Sequence, residues 1–235
     1  MSIKGLTGLL IAAAIMSFAP ASFAADDVAS IARGGRLYDK WFKVIGAPKP
    51  AETHPAWPSS NTAKKGNTTH RCKSCHGWDM MGKDGAYASG SYKTGIPGLK
   101  QMAGKSNDKV IAALKDSTHG FGGKMSEQDF TDLANFVTKG QIDIDAVIER
   151  KSKKAQGDSA AGGRYYQTVC AGCHGETGLE PKDMPPLGKL ANKNPWEIIQ
   201  KTLNGQPDEP MPAMRAFDLQ VSVDILSYLQ TLPKE

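Results

Sequence analysis

The feature that constrains this chain most is a pair of identical cysteine–histidine motifs. They read Cys72-Lys73-Ser74-Cys75-His76 and Cys170-Ala171-Gly172-Cys173-His174, and together they contain all four cysteines of the 235 residues. Both follow the pattern C-x-x-C-H, which places two thiols on adjacent helical turns with a histidine directly after them. This pattern is the attachment signature of c-type haem. It predicts two haem c groups, each bound covalently by two thioethers, with His76 and His174 as the proximal iron ligands.

Three other uses of paired cysteines fit the sequence less well. A thioredoxin-like redox pair needs a preceding strand, and no strand-like run precedes either motif. A zinc site built from two C-x-x-C units does not require a histidine immediately after each pair. Two disulfides suit an exported protein, but the three-residue spacing within a helix is poor for bridging. The sequence therefore favours haem.

The N-terminus has the layout of a secretory signal peptide. Lys4 is followed by an apolar stretch, Leu6 to Ala19, and then by the small-residue pattern Ser22-Phe23-Ala24. The alternative is a retained membrane anchor, but the stretch is short for a spanning helix and Asp26 follows at once. We expect residues 1–24 to be removed, which predicts a periplasmic protein of a bacterium with no membrane span after cleavage. No other long apolar run exists, which excludes a polytopic membrane protein, and a charged fraction of 23% excludes a wholly disordered chain.

An internal repeat predicts two equivalent units. The stretch Gly34-Gly35-Arg36-Leu37-Tyr38 matches Gly162-Gly163-Arg164-Tyr165-Tyr166, and each stretch precedes a haem motif. The first unit carries an insertion at about 42–69, which is rich in proline and polar residues and reads as a loop. Its Trp57 is a candidate for covering a haem edge. The predicted organisation is an N-terminal haem c domain over 25–140, a linker over 141–158 and a C-terminal haem c domain over 159–235.

Start signals locate the helices that follow each motif. Ser126 and Asp129 form a capping-box-like pair before an amphipathic segment, and Asp218 begins the corresponding segment of the second unit. Asn194 and Pro195 predict another helix start. The linker is expected to be an exposed helix whose isoleucine and valine side chains pack between the domains.

This arrangement resembles the class I cytochrome c family, and its overall plan resembles the tandem dihaem, cytochrome c4-like group. The hallmarks are a helix with glycine and an aromatic residue, C-x-x-C-H, a proline-leucine element, a distal ligand loop and a C-terminal helix. The resemblance implies an all-α fold of two tandem cytochrome c domains, each a small helical fold wrapped around a covalently bound haem c. It also implies that the Pro97 and Pro185 carbonyls hold the ring N–H groups of His76 and His174.

The distal ligands are the least determined part of the sites. The candidates are Met211 and Met214 in the second unit and, in the first, Met80, Met81, Met102, Met125 and His119. Both His119 to Phe136 and Met211 to Tyr228 span 17 positions, so a gapless alignment of the terminal helices puts His119 opposite Met211. Met125 then lies just before a helix N-cap, where an apolar residue usually packs. We expect ligation by His76 and His119 in the first unit and by His174 and Met211 in the second.

The ligand difference predicts a direction for electron transfer. A thioether raises the haem potential whereas a second imidazole does not, so electrons would pass from the first haem to the second. The sequence thus favours an electron carrier rather than an enzyme. The alternatives are a dihaem redox enzyme, either peroxidase-like or thiosulfate-oxidising, and the cytochrome subunit of a larger dehydrogenase complex. A thiosulfate-oxidising cytochrome would use a distal cysteine, and none is left over.

Charge is unevenly distributed between the two units. Residues 25–150 contain 18 basic and 14 acidic side chains, whereas residues 151–235 contain 10 of each. Lysines of the first unit are candidates for steering the acidic docking face of a redox partner protein: Lys64, Lys65, Lys73, Lys83 and Lys93. The alternative is a solvated face that keeps the protein soluble. The basic residues form no dense stripe, which argues against nucleic acid.

Overall fold

The computed structural model describes residues 22–235, and side chains from Asp27 onward. Most of the predicted signal peptide, residues 1–24, lies outside the described residues. Within 22–235 the chain is mainly helical, and its only strands are β1 (Ile148–Glu149) and β2 (Lys154–Ala155). This composition agrees with the prediction of an all-α fold. The helices are α1 (Ser22–Val44), α2 (Cys72–His76), α3 (Asn107–Lys115), α4 (Glu127–Lys139), α5 (Ser159–Val169), α6 (Ala171–His174), α7 (Leu187–Lys193), α8 (Pro195–Asn204) and α9 (Leu219–Leu229).

None of the helices formed by residues 22–235 has both the length and the apolar character needed to cross a membrane.

The N-terminal half, residues 22–140, is organised around the contact of α1 with α4. A Cβ atom at Gly34 would lie 2.0 Å from the Asp132 carbonyl oxygen, so only glycine allows the two helices this close. One turn further along α1, the Tyr38 ring packs against Phe136 with centroids 5.3 Å apart. The Tyr38 hydroxyl donates a hydrogen bond of 2.6 Å to the carbonyl of Gly77, the residue that follows the first motif. Tyr38 therefore ties the helix pair to the end of α2.

The same three contacts recur in the C-terminal half, residues 159–235, between α5 and α9. A Cβ atom at Gly162 would lie 1.9 Å from the Asp224 carbonyl oxygen. The Tyr166 ring packs against Tyr228 at 5.3 Å, and its hydroxyl donates a hydrogen bond of 2.6 Å to the Gly175 carbonyl. Each half thus holds the residue after its C-x-x-C-H motif with a buried tyrosine of the preceding helix.

The predicted helix starts are confirmed. Ser126 is the N-cap of α4 and forms a full capping box with Asp129, in which each side chain accepts the other residue's backbone N–H. Asn194 is the N-cap of α8 with Pro195 in the first turn. Asp218 caps α9 by accepting the N–H of Gln220 at 2.7 Å. These starts depend on residues within one turn of each other, which explains why the sequence reveals them.

The insertion of the first unit is a loop, as expected. After α1 ends at Val44, the chain has no regular helix or strand until the short 3₁₀ turn Gly66–His70. The first three residues of the predicted range, 42–44, belong to α1 itself. The loop is anchored to a later segment by Asn61, whose side-chain amide donates a hydrogen bond of 2.9 Å to the Lys93 carbonyl.

The expectation of a helical linker over 141–158 is wrong. This segment contains a 3₁₀ turn, Ile144–Ala146, and then the antiparallel pair β1 and β2. The turn between the strands is closed by the Glu149 carboxylate, which accepts the backbone N–H of Lys151 at 2.9 Å. The apolar residues do pack inward, since Ile144 and Ile148 are buried. Contacts with residues distant along the chain bury these side chains, and no helix is needed for that.

The two halves pack directly against each other. Lys201 on α8 forms an ion pair of 2.8 Å with Asp39 on α1, and Arg36 donates a hydrogen bond of 2.8 Å to the Asn204 carbonyl. Trp78, which follows the first motif, is buried in the apolar cluster of the C-terminal half. The halves therefore share part of one core.

Candidate functional site

The N-terminal half contains a cavity of about 440 Å³ beside the first motif. Cys72, Cys75 and His76 of α2 line one side, and His119 lines the other. The rest of the wall is largely apolar and comes from α1, α3, α4 and the loops between them: Tyr38, Ile96, Leu99, Val110, Leu114, Phe121, Leu133 and Val137. The structure thus brings together the four residues that the sequence analysis assigned to the first haem.

The rings of His76 and His119 face each other across this cavity. Their centroids are 6.3 Å apart and their planes differ by 23°. An imidazole nitrogen binds a metal ion at about 2 Å, so two rings that hold one ion from opposite sides have centroids about 6 Å apart. The separation therefore fits a single iron atom between the two rings, and the wall around them is largely apolar, as a porphyrin site requires.

Hydrogen bonds orient both rings for this role. His76 donates from Nδ1 to the Pro97 carbonyl at 2.8 Å, the contact that the family resemblance implies. His119 donates from Nδ1 to Asp116 Oδ1 at 3.2 Å. A histidine that donates from Nδ1 has the lone pair of Nε2 free for a metal. Burial lowers the pKa of His76, although the Pro97 carbonyl acts in the opposite direction. A lowered pKa favours the neutral ring that a metal ligand requires.

A close backbone approach holds Pro97 beside the motif. Gly82 forms an isolated antiparallel bridge with Pro97, and its N–H donates to the His76 carbonyl at 2.8 Å. Gly82 has a φ of +53°, and a Cβ there would lie 2.5 Å from the Ile96 carbonyl oxygen. Glycine at this position is therefore required for the loop to return to His76.

The thiols of the first motif are poorly accessible to solvent. Burial raises the pKa of Cys72 to about 12 and that of Cys75 to about 11. Both thiols line the apolar cavity beside His76.

The methionines of the N-terminal half occupy different positions. Met102 lines the cavity. Met125 is buried in the apolar cluster of this half, directly before the N-cap of α4, and is not among the lining residues. Met80 is buried in the same cluster, and Met81 Sδ lies 3.1 Å from Arg150 Nη2. Met125 thus has the packing environment that the helix start predicted for it.

The C-terminal half departs from one implied contact. His174 donates from Nδ1 to the Glu180 carbonyl at 3.3 Å, and the expectation that Pro185 supplies this carbonyl is wrong for this structure. The backbone bonds that frame the loop are shared by the two halves. Glu180 N–H donates to the His174 carbonyl at 3.1 Å, as Gly82 N–H donates to the His76 carbonyl at 2.8 Å. The loops differ in length, since Pro185 follows His174 by 11 positions and Pro97 follows His76 by 21.

The two candidate distal methionines of this half differ in burial. Met214 is buried at 6% exposure in the apolar cluster that also contacts Cys170. Met211 is half-buried in the preceding loop, and its carbonyl lies close to Gly205. Cys173 is exposed. Ligation of His174 and Met211 to a second iron stays a prediction, with Met214 as the alternative.

Two histidines that the sequence analysis passed over also line the first cavity. His54 in the inserted loop donates from Nε2 to the His119 carbonyl at 3.2 Å. His70 packs edge-on against His54, with ring centroids 4.9 Å apart. Trp57, expected to cover the haem edge, is buried but is not among the lining residues. The positions of His54 and His70 beside the cavity follow from the path of the inserted loop near His119. No motif or spacing in the sequence indicates them.

One protein family matches part of the chain. Residues 157–225 match the family described as cytochrome C oxidase, cbb3-type, subunit III. No curated protein and no solved structure matches the chain. The matched segment contains Cys170, Cys173 and His174, so this part of the chain is similar to a c-type cytochrome domain. Such domains bind haem c covalently and typically carry electrons.

Proposed function

We propose that this protein is a periplasmic dihaem c-type cytochrome that carries electrons between redox partner proteins. The observation that supports this most strongly is the facing pair of His76 and His119, 6.3 Å apart in a cavity that also contains Cys72 and Cys75. The family match supports a second haem domain over residues 157–225. Haem, when bound, supplies reversible one-electron chemistry at its iron.

In the N-terminal half each residue has a distinct part. Cys72 and Cys75 form the thioethers, and His76 and His119 are the axial ligands. The Pro97 carbonyl and Asp116 hold the two Nδ1–H groups, so both rings are kept in the tautomer that binds iron. With both axial positions taken by protein side chains, no position is left for a substrate, which favours a carrier over an enzyme.

In the C-terminal half Cys170 and Cys173 form the thioethers, and His174 and Met211 are the axial ligands. A methionine sulfur raises the potential of the iron it binds, whereas a second histidine does not. The N-terminal site is therefore the low-potential one and the C-terminal site the high-potential one. The direct packing of the two halves, through pairs such as Asp39 and Lys201, supports electron exchange within one molecule.

The test uses the mature protein purified from the periplasm of a host that attaches haem c. Mass spectrometry should give the polypeptide without residues 1–24 plus two haem groups. Near-infrared absorption should show one sulfur-to-iron charge-transfer band per protein, and the reduced protein should not bind carbon monoxide. A mass lacking either haem would refute the dihaem proposal, and carbon monoxide binding by the unmodified protein would refute the carrier in favour of an enzyme.

A further inference from the structure

A second cavity, of about 370 Å³, lies on the other side of α2 where the two halves meet. Both halves contribute to its wall. Trp78, Tyr87 and Tyr92 come from the N-terminal half, and Trp196 and Glu197 come from the first turn of α8. Four lysines complete the wall: Lys64, Lys73, Lys153 and Lys193.

The buried member of this group is Lys73. Lys73 was predicted to lie at a docking face. Its exposed fraction is only 4%, because the side chain passes between two aromatic rings. Its ammonium lies 5.2 Å from the Trp78 ring centroid and 4.6 Å from that of Tyr92. Its hydrogen bond is to the Tyr92 hydroxyl at 3.3 Å, which uses one of three ammonium donors.

The other lysines approach the same space from outside. Lys64 lies 4.7 Å above the Tyr92 ring centroid, and Lys153 lies 5.5 Å from that of Trp196. Lys153 also donates to the Lys193 carbonyl at 3.0 Å, which brings these two residues together. Within residues 27–235, none of the four lysines that line this cavity has a carboxylate within ion-pair distance.

The one acidic residue of the wall is engaged elsewhere. Glu197 accepts a hydrogen bond of 2.9 Å from Asn194 and lies 3.9 Å from Lys201, which is not part of the lining. Three ammonium groups, those of Lys64, Lys153 and Lys193, therefore line one cavity with one carboxylate, and burial lowers the pKa of the fourth lysine, Lys73, to about 7. Like charges held this close repel each other unless an anion lies among them.

The backbone contributes positive charge as well. The N-terminal end of α8, a ten-residue helix, also lies at the cavity and favours negative charge through its dipole.

We propose that this cavity binds a small multivalent oxyanion, such as inorganic phosphate or sulfate. The lysine ammonium groups supply the charge, and the N-terminal end of α8 adds the positive end of its dipole. The site is distinct from the haem cavity, because Lys73 points away from Cys72 and Cys75 to the opposite side of α2.

The test is calorimetric titration of the purified holoprotein with sodium phosphate and, separately, sodium sulfate. Sodium chloride holds the ionic strength constant, so that general screening does not contribute to the heat. We expect saturable binding at one site for both anions. A double variant, Lys64→Gln with Lys193→Gln, should weaken it by at least about tenfold, since hydrogen bonds to charged groups are strong.

A matched variant and a matched control separate the site from general charge. Lys73→Met keeps most of the side-chain length but removes the buried ammonium group, and should weaken binding several-fold. Lys105→Gln, at an exposed lysine outside the cavity, should leave binding unchanged. Absence of saturable heat with both anions would refute the proposal, as would equal affinities for all variants. If the cavity instead docks an acidic protein surface and binds no oxyanion, neither anion will give saturable heat, and the proposal is refuted.

Discussion

The Asp39 carboxylate on α1 accepts a hydrogen bond of 2.8 Å from the Lys201 ammonium on α8, so that a buried ion pair joins the two halves. Asp39 also pairs with Arg71, directly before the first motif. Its side chain is 3% exposed, against 18% for Lys201 and 16% for Arg71. One carboxylate therefore neutralises two cations at the junction of α1, α2 and α8.

Replacing Asp39 by asparagine should lower the free energy of unfolding strongly. The change leaves Arg71 without its counter-charge and Lys201 with only Glu197 at 3.9 Å, and breaking a buried pair in this way costs about 3–5 kcal/mol. Urea unfolding of the holoprotein measures it. The control is Asp208→Asn, which removes a carboxylate that also joins the halves, through Lys43, but in a pair with both side chains 53% exposed. That control should cost about 0–1 kcal/mol, and equal losses in the two variants would contradict the assignment.

The same carboxylate predicts a dependence of stability on pH. Burial raises the pKa of Asp39, but Lys201 and Arg71 outweigh it and hold the pKa below its ordinary value of 3.8. A depressed folded-state pKa gives stability that is present above the unfolded-state value and is lost as pH falls through the folded-state value. Unfolding free energies measured between neutral pH and pH 2 should fall on the acid side. Asp39→Asn should reduce that fall, and an unchanged acid limb in the variant would exclude Asp39 as its cause.

Replacing His119 and replacing Met125 should have different effects on the proposed first haem site. His119→Ala should open one axial position, giving a high-spin ferric signal and carbon monoxide binding by one of two haems. Met125→Leu conserves volume at a packing position and should leave both spectra unchanged, with less than about 1.5 kcal/mol of lost stability. Electron paramagnetic resonance and carbon monoxide difference spectra check both variants. The reverse pattern would make Met125 the ligand and His119 a surface residue.

The two buried tyrosines predict matched effects in the two halves. Tyr38→Phe and Tyr166→Phe each remove a 2.6 Å hydrogen bond to the glycine after a motif. Each should cost about 1–3 kcal/mol, because a buried carbonyl loses its partner. Thermal unfolding measures the loss.

Tyr165→Phe is the matched control for that pair, since Tyr165 lies beside Tyr166 but is 38% exposed. It should change stability by about 0.5 kcal/mol or less. A large effect in only one of the two buried tyrosines would show that the halves do not use this contact equally.

Local chemistry accounts for the features that the sequence predicted well. The capping box of Ser126 and Asp129, and the start of α8 at Asn194 and Pro195, each involve neighbours within one helical turn. The cysteine–histidine motifs are equally local. The prediction of a helical linker was wrong. Ile144 and Ile148 are buried in an apolar cluster with residues of both halves, and such burial does not require a helix.

The sequence by itself predicted which residues would attach haem, because thiol and imidazole chemistry requires them at fixed spacing along the chain. It also predicted where three of the nine helices described within residues 22–235 begin, namely α4, α8 and α9. Only the tertiary structure decided that His119 faces His76, that Glu180 replaces Pro185 beside His174, and that lysines from both halves surround one cavity. The reason is physical. Those contacts join residues whose separation along the chain ranges from 6 for His174 and Glu180 to 43 for His76 and His119, and further still across the two halves. The path of the intervening loops, not the residue types alone, sets the distances between them.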